Sequence, residues 1–445
     1  MNITKQISAL NQHPIFQRVA ILIFTSITIL GSAASCSIPG LNFGGSNTPT
    51  KIAGILKQDP NFTLSDGTKR DGFGTVNAVK LLNGQIQTDG LSQVSSIQMT
   101  QIDKNNFYLL TATKGFFKSY TTREINGQKV DYDVLVWERK YVFPIPQNAS
   151  NDQVNAVVEK NNSFVPTSAA IDPNKPETIY ITGKIGTFGK IYKSSDSGNT
   201  FKEVYSEVES GVSVVASALD PASSQSVYAV LDGGTLIKSN DGGLSWQKLI
   251  NFNDKIVQFG FVPQFDNLFY ALLENKGLQT SANGGVTWTT LNLIRNTPRI
   301  SGDNQSKDNV FTTDLFDQTK FSQFQKIVPI TATKNSWLII ADSQIWYSDS
   351  FANPFTKLLL PLKNDKYKIN DVQADPQKGI DRVIVSINDK LFESGNRGQS
   401  WSANDKISLS SPIGNINQIL IDRTDPKVIY LILTNKVTSG GLFGN

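Results

Sequence analysis

Along this chain, short apolar runs come in pairs separated by a turn that carries Asp or Pro. Ala170-Ile171-Asp172-Pro173 is followed by Ile179-Tyr180, Ala218-Leu219-Asp220-Pro221 by Val227-Tyr228, Gln373-Ala374-Asp375-Pro376 by Val383-Ile384, and Leu420-Ile421-Asp422 by Val428-Ile429-Tyr430. Looser versions stand at Gln101-Ile102-Asp103 with Phe107-Tyr108, at Phe261-Val262-Pro263 with Leu268-Phe269-Tyr270, and at Val328-Pro329 with Trp337-Leu338. Each pair reads as strand, turn, strand, because the turn residues pre-set the backbone or bond to it while the flanking runs supply surface to bury. Roughly seven such units follow one another.

A second landmark follows several of the pairs. Ser194-Ser195-Asp196-Ser197-Gly198-Asn199-Thr200-Phe201 returns as Ser239-Asn240-Asp241-Gly242-Gly243-Leu244-Ser245-Trp246, as Ser281-Ala282-Asn283-Gly284-Gly285-Val286-Thr287-Trp288 and as Ser394-Gly395-Asn396-Arg397-Gly398-Gln399-Ser400-Trp401. A degenerate copy stands at Tyr347-Ser348-Asp349-Ser350 with Phe355. In each copy the Asp or Asn is placed to bond backbone N–H groups of its own turn, the Gly to take a positive φ, and the hydroxyl to close the loop. The terminal aromatic packs between sheets and starts the next strand. The aromatic ends recur about every 45 residues. A unit of that length holds four short strands, so the chain reads as all-β, a single β-propeller of about seven four-stranded blades occupying 51–445.

The pattern resembles the Asp box, or bacterial neuraminidase repeat. That resemblance implies that each box is a hairpin turn and marks a fold rather than a partner. Among Asp-box propellers are sialidases, sortilin-type receptor domains and the photosystem II stability and assembly factor family, which includes lipoprotein members. The chain resembles that broader group over nearly its whole length after the leader.

The ring must also close. Gly440-Gly441-Leu442-Phe443-Gly444-Asn445 supplies only the opening of a box, while Gly54-Ile55-Leu56-Lys57-Gln58-Asp59 and Val76-Asn77-Ala78-Val79-Lys80-Leu81 precede the first unit. These N-terminal segments are expected to complete the last blade and so remove edges that invite pairing. Two connections, about 144–166 and 289–326, are longer than a blade needs. Both should leave fourth strands on the face opposite the boxes. The second offers Arg295, Arg299, Phe311, Phe316 and Lys320 as a candidate ligand-face loop.

Residues 1–35 read as a secretory signal: Lys5 and Arg18, an apolar run from Val19 to Leu30, then small residues. Cys36, the only cysteine, follows directly and resembles the lipobox cysteine of bacterial lipoproteins. Ala33 stands where a lipobox usually has Leu. Ordinary signal cleavage and an uncleaved anchor therefore stay open beside lipidation. In each case the bulk of the chain lies outside the cytoplasm. Residues 36–50, rich in Gly, Pro, Ser and Asn, read as lipidated Cys and flexible tether. The resulting expectation is a lipoprotein on the outer face of a bacterial membrane.

Charge and inventory narrow the chemistry. The formal charge of +4 falls to +2 once Lys5 and Arg18 leave with the signal, which excludes a nucleic-acid field. The sole histidine, His13, leaves with it. Ser–His and Cys–His catalysis and histidine or thiolate metal sites are thereby excluded from the mature chain, and neither cofactor nor metal is expected. Carboxylate chemistry survives. A sialidase-like site would need an arginine triad, yet Arg70, Arg123, Arg139, Arg295, Arg299, Arg382, Arg397 and Arg423 are scattered, and Thr297-Pro298-Arg299-Ile300-Ser301 departs from the sialidase Arg-Ile-Pro signature. Asn at 283 and 396 marks the box position as a hydrogen-bonding site rather than an acid. The expected role is a scaffold binding protein, peptide or glycan; a glycoside hydrolase and an envelope assembly or stability factor remain as alternatives.

Overall fold

In the computed structural model seven sheets, each with a four-stranded antiparallel unit, are arranged in sequence order, and most of their first strands bond sideways to the next sheet. The structure describes residues 51–435 except 64–66, 105, 122–123, 126–127, 130–134, 262–267, 291–293, 299–310, 316–323, 331–335, 350–354, 362–366, 389, 405–406 and 408–412. The signal, Cys36 and the tether lie outside the described residues, as do Gly440–Asn445.

The chain is a seven-bladed β-propeller. Blade one is built from Ser96–Gln101, Phe107–Thr111, Gly115–Thr121 and Leu135–Lys140. Blade two runs through Phe164–Ile171, Ile179–Ile185, Phe188–Ser194 and Lys202–Ser206, and blade three through Val214–Asp220, Ser223–Leu231, Thr235–Ser239 and Gln247–Asn251. The innermost strands of blades four, five and six are Ile256–Phe261, Phe324–Ile330 and Ile369–Asp375. In blade seven, Asn415–Ile421 and Ile429–Thr434 are joined by Gly54–Thr63 and Lys69–Thr75.

Hydrophobic burial occurs at the seams between blades. Seven clusters of buried side chains each unite two successive blades, from Tyr108, Phe116, Ile179 and Tyr192 between one and two to Ile55, Tyr430, Phe107 and Trp137 between seven and one. This is why the second strands are continuous apolar runs: Tyr180 packs toward blade three while Ile179 and Ile181 pack toward blade one. The Asp turns stabilise the entry to those strands. Asp172 Oδ1 accepts the N–H groups of Asn174 and Lys175, and Asp375 and Asp422 do the same for the residues after them.

N-terminal strands do complete the last blade, with Gly54–Leu56 antiparallel to Leu431–Leu433. The second expected segment does not belong there. Ala78–Lys80 instead pairs parallel with Val136–Glu138 on the outer edge of blade one, and Ile86–Gln87 adds outside it, making a six-stranded sheet. Its backbone continues straight from Lys69–Thr75, so one chain segment stitches the last blade to the first. Blade five is widened in the same way, by Ile294–Pro298 parallel to Phe355–Lys357 and by Phe311–Leu315 beyond it. The connection near 289–326 is thus partly an extension of the sheet, where a loop was expected.

Candidate functional site

The repeated turns join third and fourth strands. Their serine hydroxyls, Ser194, Ser239, Ser281 and Ser394, accept the N–H of Gly198, Gly243, Gly285 and Gly398 at 2.7–2.9 Å and donate to Asp196, Asp241, Asn283 and Asn396. The same Oδ1 atoms accept the N–H of Thr200, Ser245, Thr287 and Ser400, each at 2.9 Å. Asp196 and Asp241 also accept the Thr200 and Ser245 hydroxyls, whereas the Asn283 and Asn396 amides donate to Thr287 and Ser400. A hydroxyl turns to suit either partner, so Asp and Asn are interchangeable here. The glycines hold φ of +83°, +97°, +86° and +74°. Trp246 donates its indole N–H to Val204 O on the fourth strand of the preceding blade and Trp401 donates to Leu359 O, just past the fourth strand of blade five; Phe201 packs edge-on to Phe116, and Trp288 bonds back to Gly285 O. Hydrogen bonds from Ser245 and Ser239 hold the Asp241 carboxyl well below the usual range. These carboxylates are fully engaged within their own turns.

Around the axis lies a feature with no short motif. Each first strand has a bulge near its start, and the residue just after it is Gln98, Ser168, Ala216, Gln258, Lys326, Asp371 or Gln418. Gln98 bonds both N and O of Ala169, and Gln418 both N and O of Met99. Gln258 takes the Ile327 N–H, and Asp371 takes the Ile419 N–H at 2.6 Å and a short contact from Lys326. Thr167 serves the seam between blades two and three by donating to Val214 O. Where Ala216 stands, the seam is aromatic, with Tyr228 against Phe259, Phe261 and Phe269. A primary amide presents the donor and acceptor of a peptide group, so the glutamines act as side-chain rungs between sheets. Fully buried Asp371 is committed to this closure.

A concavity of about 870 Å³ lies on the outer flank of blade one. Its walls are the extra edge from Val79 to Gly90, the fourth-strand end Glu138–Tyr141, Pro144 and Ile145, Val158, and the Gly198-Asn199 corner of the blade-two turn. A smaller cleft of about 490 Å³ occupies the corresponding place between the fourth strand of blade two and the turn of blade three. The blade-one groove is therefore an ordinary inter-blade cleft enlarged by two additions.

One addition is the sheet edge; the other is the helix Asn151–Ser163, inside the connection near 144–166. Ser150 and Gln153 form a capping box, a local signal present in the sequence that had pointed to no element. The Asn161 side chain pins the helix by donating to Phe143 O and accepting Phe143 N–H, and Lys160 sits 4.2 Å over the Phe143 ring. Asn162 Oδ1 then receives Arg139 Nη2 at 3.0 Å, and the guanidinium lies 4.8 Å over the Tyr141 ring.

Among the described residues the groove's only lining carboxylate is Glu138. Burial disfavours its charge, but Lys140 at 2.8 Å and Lys80 at 3.6 Å outweigh that and hold it below the usual carboxylate range. Burial pushes the Tyr141 phenol up and lowers Arg139. Of the expected ligand-face residues, Arg295 and Phe311 fall in strands at the outer edge of blade five, with side chains outside the description. Arg299, Phe316 and Lys320 lie outside the described residues. No group of three or more His, Cys, Asp or Glu able to hold a metal occurs among the described residues.

No family model matches the chain, and no curated protein matches it in sequence. Among solved structures it is similar to a GH74 xyloglucanase from Xanthomonas campestris, at 12% identity and a TM-score of 0.51 over 76% of this chain and 51% of that one. It is also similar to YCF48 bound to a D1 peptide, at 14% identity and 0.49 over 77% and 94%, and to YCF48 from Cyanidioschyzon merolae, at 13% and 0.47 over 76% and 96%. The chain spans about half the length of the xyloglucanase. At such identity the likeness establishes the propeller fold alone.

Proposed function

We propose that this propeller is an exported scaffold, held to the outer face of a membrane through acylated Cys36 and the 37–50 tether, and that it binds a partner in the blade-one groove. The observation that carries this reading is the enlargement of one inter-blade cleft by an added sheet edge and an inserted helix, neither of which is one of the four strands of a blade. The Asp-box turns are its structural joints. Loops and insertions on a rigid scaffold are where recognition concentrates.

The test is site-specific photocrosslinking in intact membranes, with the probe at Leu82 in the groove and, as a control, at Val208, which is 86% exposed. A discrete adduct from Leu82 alone is expected. Equal labelling from both positions, or none from Leu82, defeats the groove reading. In parallel, Cys36→Ser should move the chain from the membrane to the soluble fraction; an unchanged membrane fraction refutes the lipid anchor.

A further inference from the structure

The cations around the groove divide into those the fold already employs and those it does not. Lys118 lies over Tyr108 at 5.8 Å, as Lys193 does over Tyr180 and Lys238 over Tyr228, so it belongs to a device repeated from blade to blade. Lys140 is held by Glu138 and Asn199, and Lys80 by Glu138 and the Tyr120 ring. Arg139 and Lys114 remain, and neither forms an ion pair among the described residues.

Arg139 is the more informative of the two. Its guanidinium is half-buried, stacked on Tyr141 and fixed by Asn162, both neutral groups. Desolvation lowers its pKa without a carboxylate to offset the loss. A pre-positioned guanidinium in that state is suited to bidentate capture of a carboxylate, and its rotamer entropy has already been spent. Gly115, next to Lys114, has its backbone under Arg139, where an added Cβ would lie 3.9 Å from Nη2. Both cationic residues line the same groove.

Beside them the lining turns aliphatic. Leu82 is 53% exposed, and Ile145 and Val158 are partly so. A sugar ring would be expected to rest on an open aromatic face. Here the Tyr141 face is covered by the guanidinium, and Phe117 is buried. Aliphatic walls next to a fixed cation fit amino-acid side chains better.

We propose that the groove takes an extended acidic peptide segment, placing a carboxylate on Arg139 and Lys114 and an aliphatic side chain against Leu82, Ile145 and Val158. This rests on the groove being the binding site and adds the chemistry of the occupant. Charged capture should supply specificity and a salt-sensitive association rate, and the aliphatic contact the residence time.

The experiment uses the full chain in detergent and fluorescence anisotropy of a labelled hexapeptide alternating leucine and glutamate. Saturable binding is expected, weakened about tenfold or more when glutamine replaces glutamate and by a similar factor in Arg139→Gln. Lys114→Glu, on an exposed turn, should weaken it several-fold and serves if Arg139→Gln fails to fold. Leu82→Ser should also weaken it. Equal affinity for the glutamine peptide, or unchanged affinity in Arg139→Gln and Lys114→Glu, overturns the carboxylate anchor. Oligogalacturonate, which carries carboxylates without aliphatic side chains, is the competing probe. If it binds in the groove and the peptide does not, the peptide class is wrong and the groove stands. If neither binds while the Leu82 crosslink still forms, the acidic-ligand inference fails by itself; absence of the crosslink as well fails the groove.

Discussion

In blades two and three the carboxylates of the repeated turn are answered within the turn, so Asp196 and Asp241 accept their described side-chain hydrogen bonds from residues no more than four positions away. On the flank of blade one, Arg139 and Lys114 line a groove and form no ion pair among the described residues. The same four-strand unit is thus used to consume polar groups in one place and to present them in another. What separates the two is added backbone: the Ala78–Gln87 edge and the Asn151–Ser163 helix raise walls around a fourth strand whose counterpart in blade two meets only the next turn. Stability should then be sensitive to changes at turns and closure, and insensitive to changes at the groove.

The largest effect is expected from the closure. Removing Gly54–Thr75 deprives blade seven of two strands and of fully buried Ile55, Leu56 and Phe73. At about 1.5–3 kcal/mol for each such side chain, the loss approaches the usual stability of a whole domain. A thermal scan of the shortened chain should show no cooperative transition; a sharp one would mean that the ring closes without its N-terminal strands. Next in size is Asp371→Ala, which leaves the Ile419 N–H and Lys326 without their acceptor and should cost about 3 kcal/mol in urea unfolding. A loss below about 1 kcal/mol would show the axial rungs to be ornamental.

A single turn should matter less. Ser239→Ala removes the acceptor for Gly243 N–H and the donor to Asp241, at a cost of about 1–2 kcal/mol. The Asp turns should also differ from the Asn turns in acid. Asp241 and Asp196 titrate below their unfolded value, so their stabilisation is present above about pH 4 and is lost as pH falls through the folded pKa. Asp196→Asn with Asp241→Asn should flatten the acid limb of the unfolding curve, and an unaltered limb would assign acid lability elsewhere. Smallest of all, Arg139→Gln should leave urea stability within about 1 kcal/mol, since it removes one hydrogen bond to an exposed Asn162 and a stacked contact. A large loss there would make Arg139 a structural residue and erase the contrast between flank and turn.

Much of the fold was legible because its signals are short. The Asp turns and the repeated turns close on residues two to four positions away, so their chemistry is written in contiguous residues. The site was not legible in that way. Arg139 appeared in the sequence as one scattered arginine, and nothing near it announces Asn162 or the wall at Leu82. The capping box at Ser150 was a readable sign of the helix, but a helix within a long connection does not reveal what it shelters.

By itself, then, the sequence determined the unit, its repetition and the need for a seam, since each follows from local turn geometry and from the burial of apolar runs. Only the tertiary structure decided that Ala78–Lys80 crosses to blade one, that Gln418 bonds to Met99 far along the chain, and that the cleft beside blade one is walled into a groove. Those outcomes depend on which surfaces meet when the ring closes. Contacts between residues remote in sequence are set by that closure, and no local pattern encodes them.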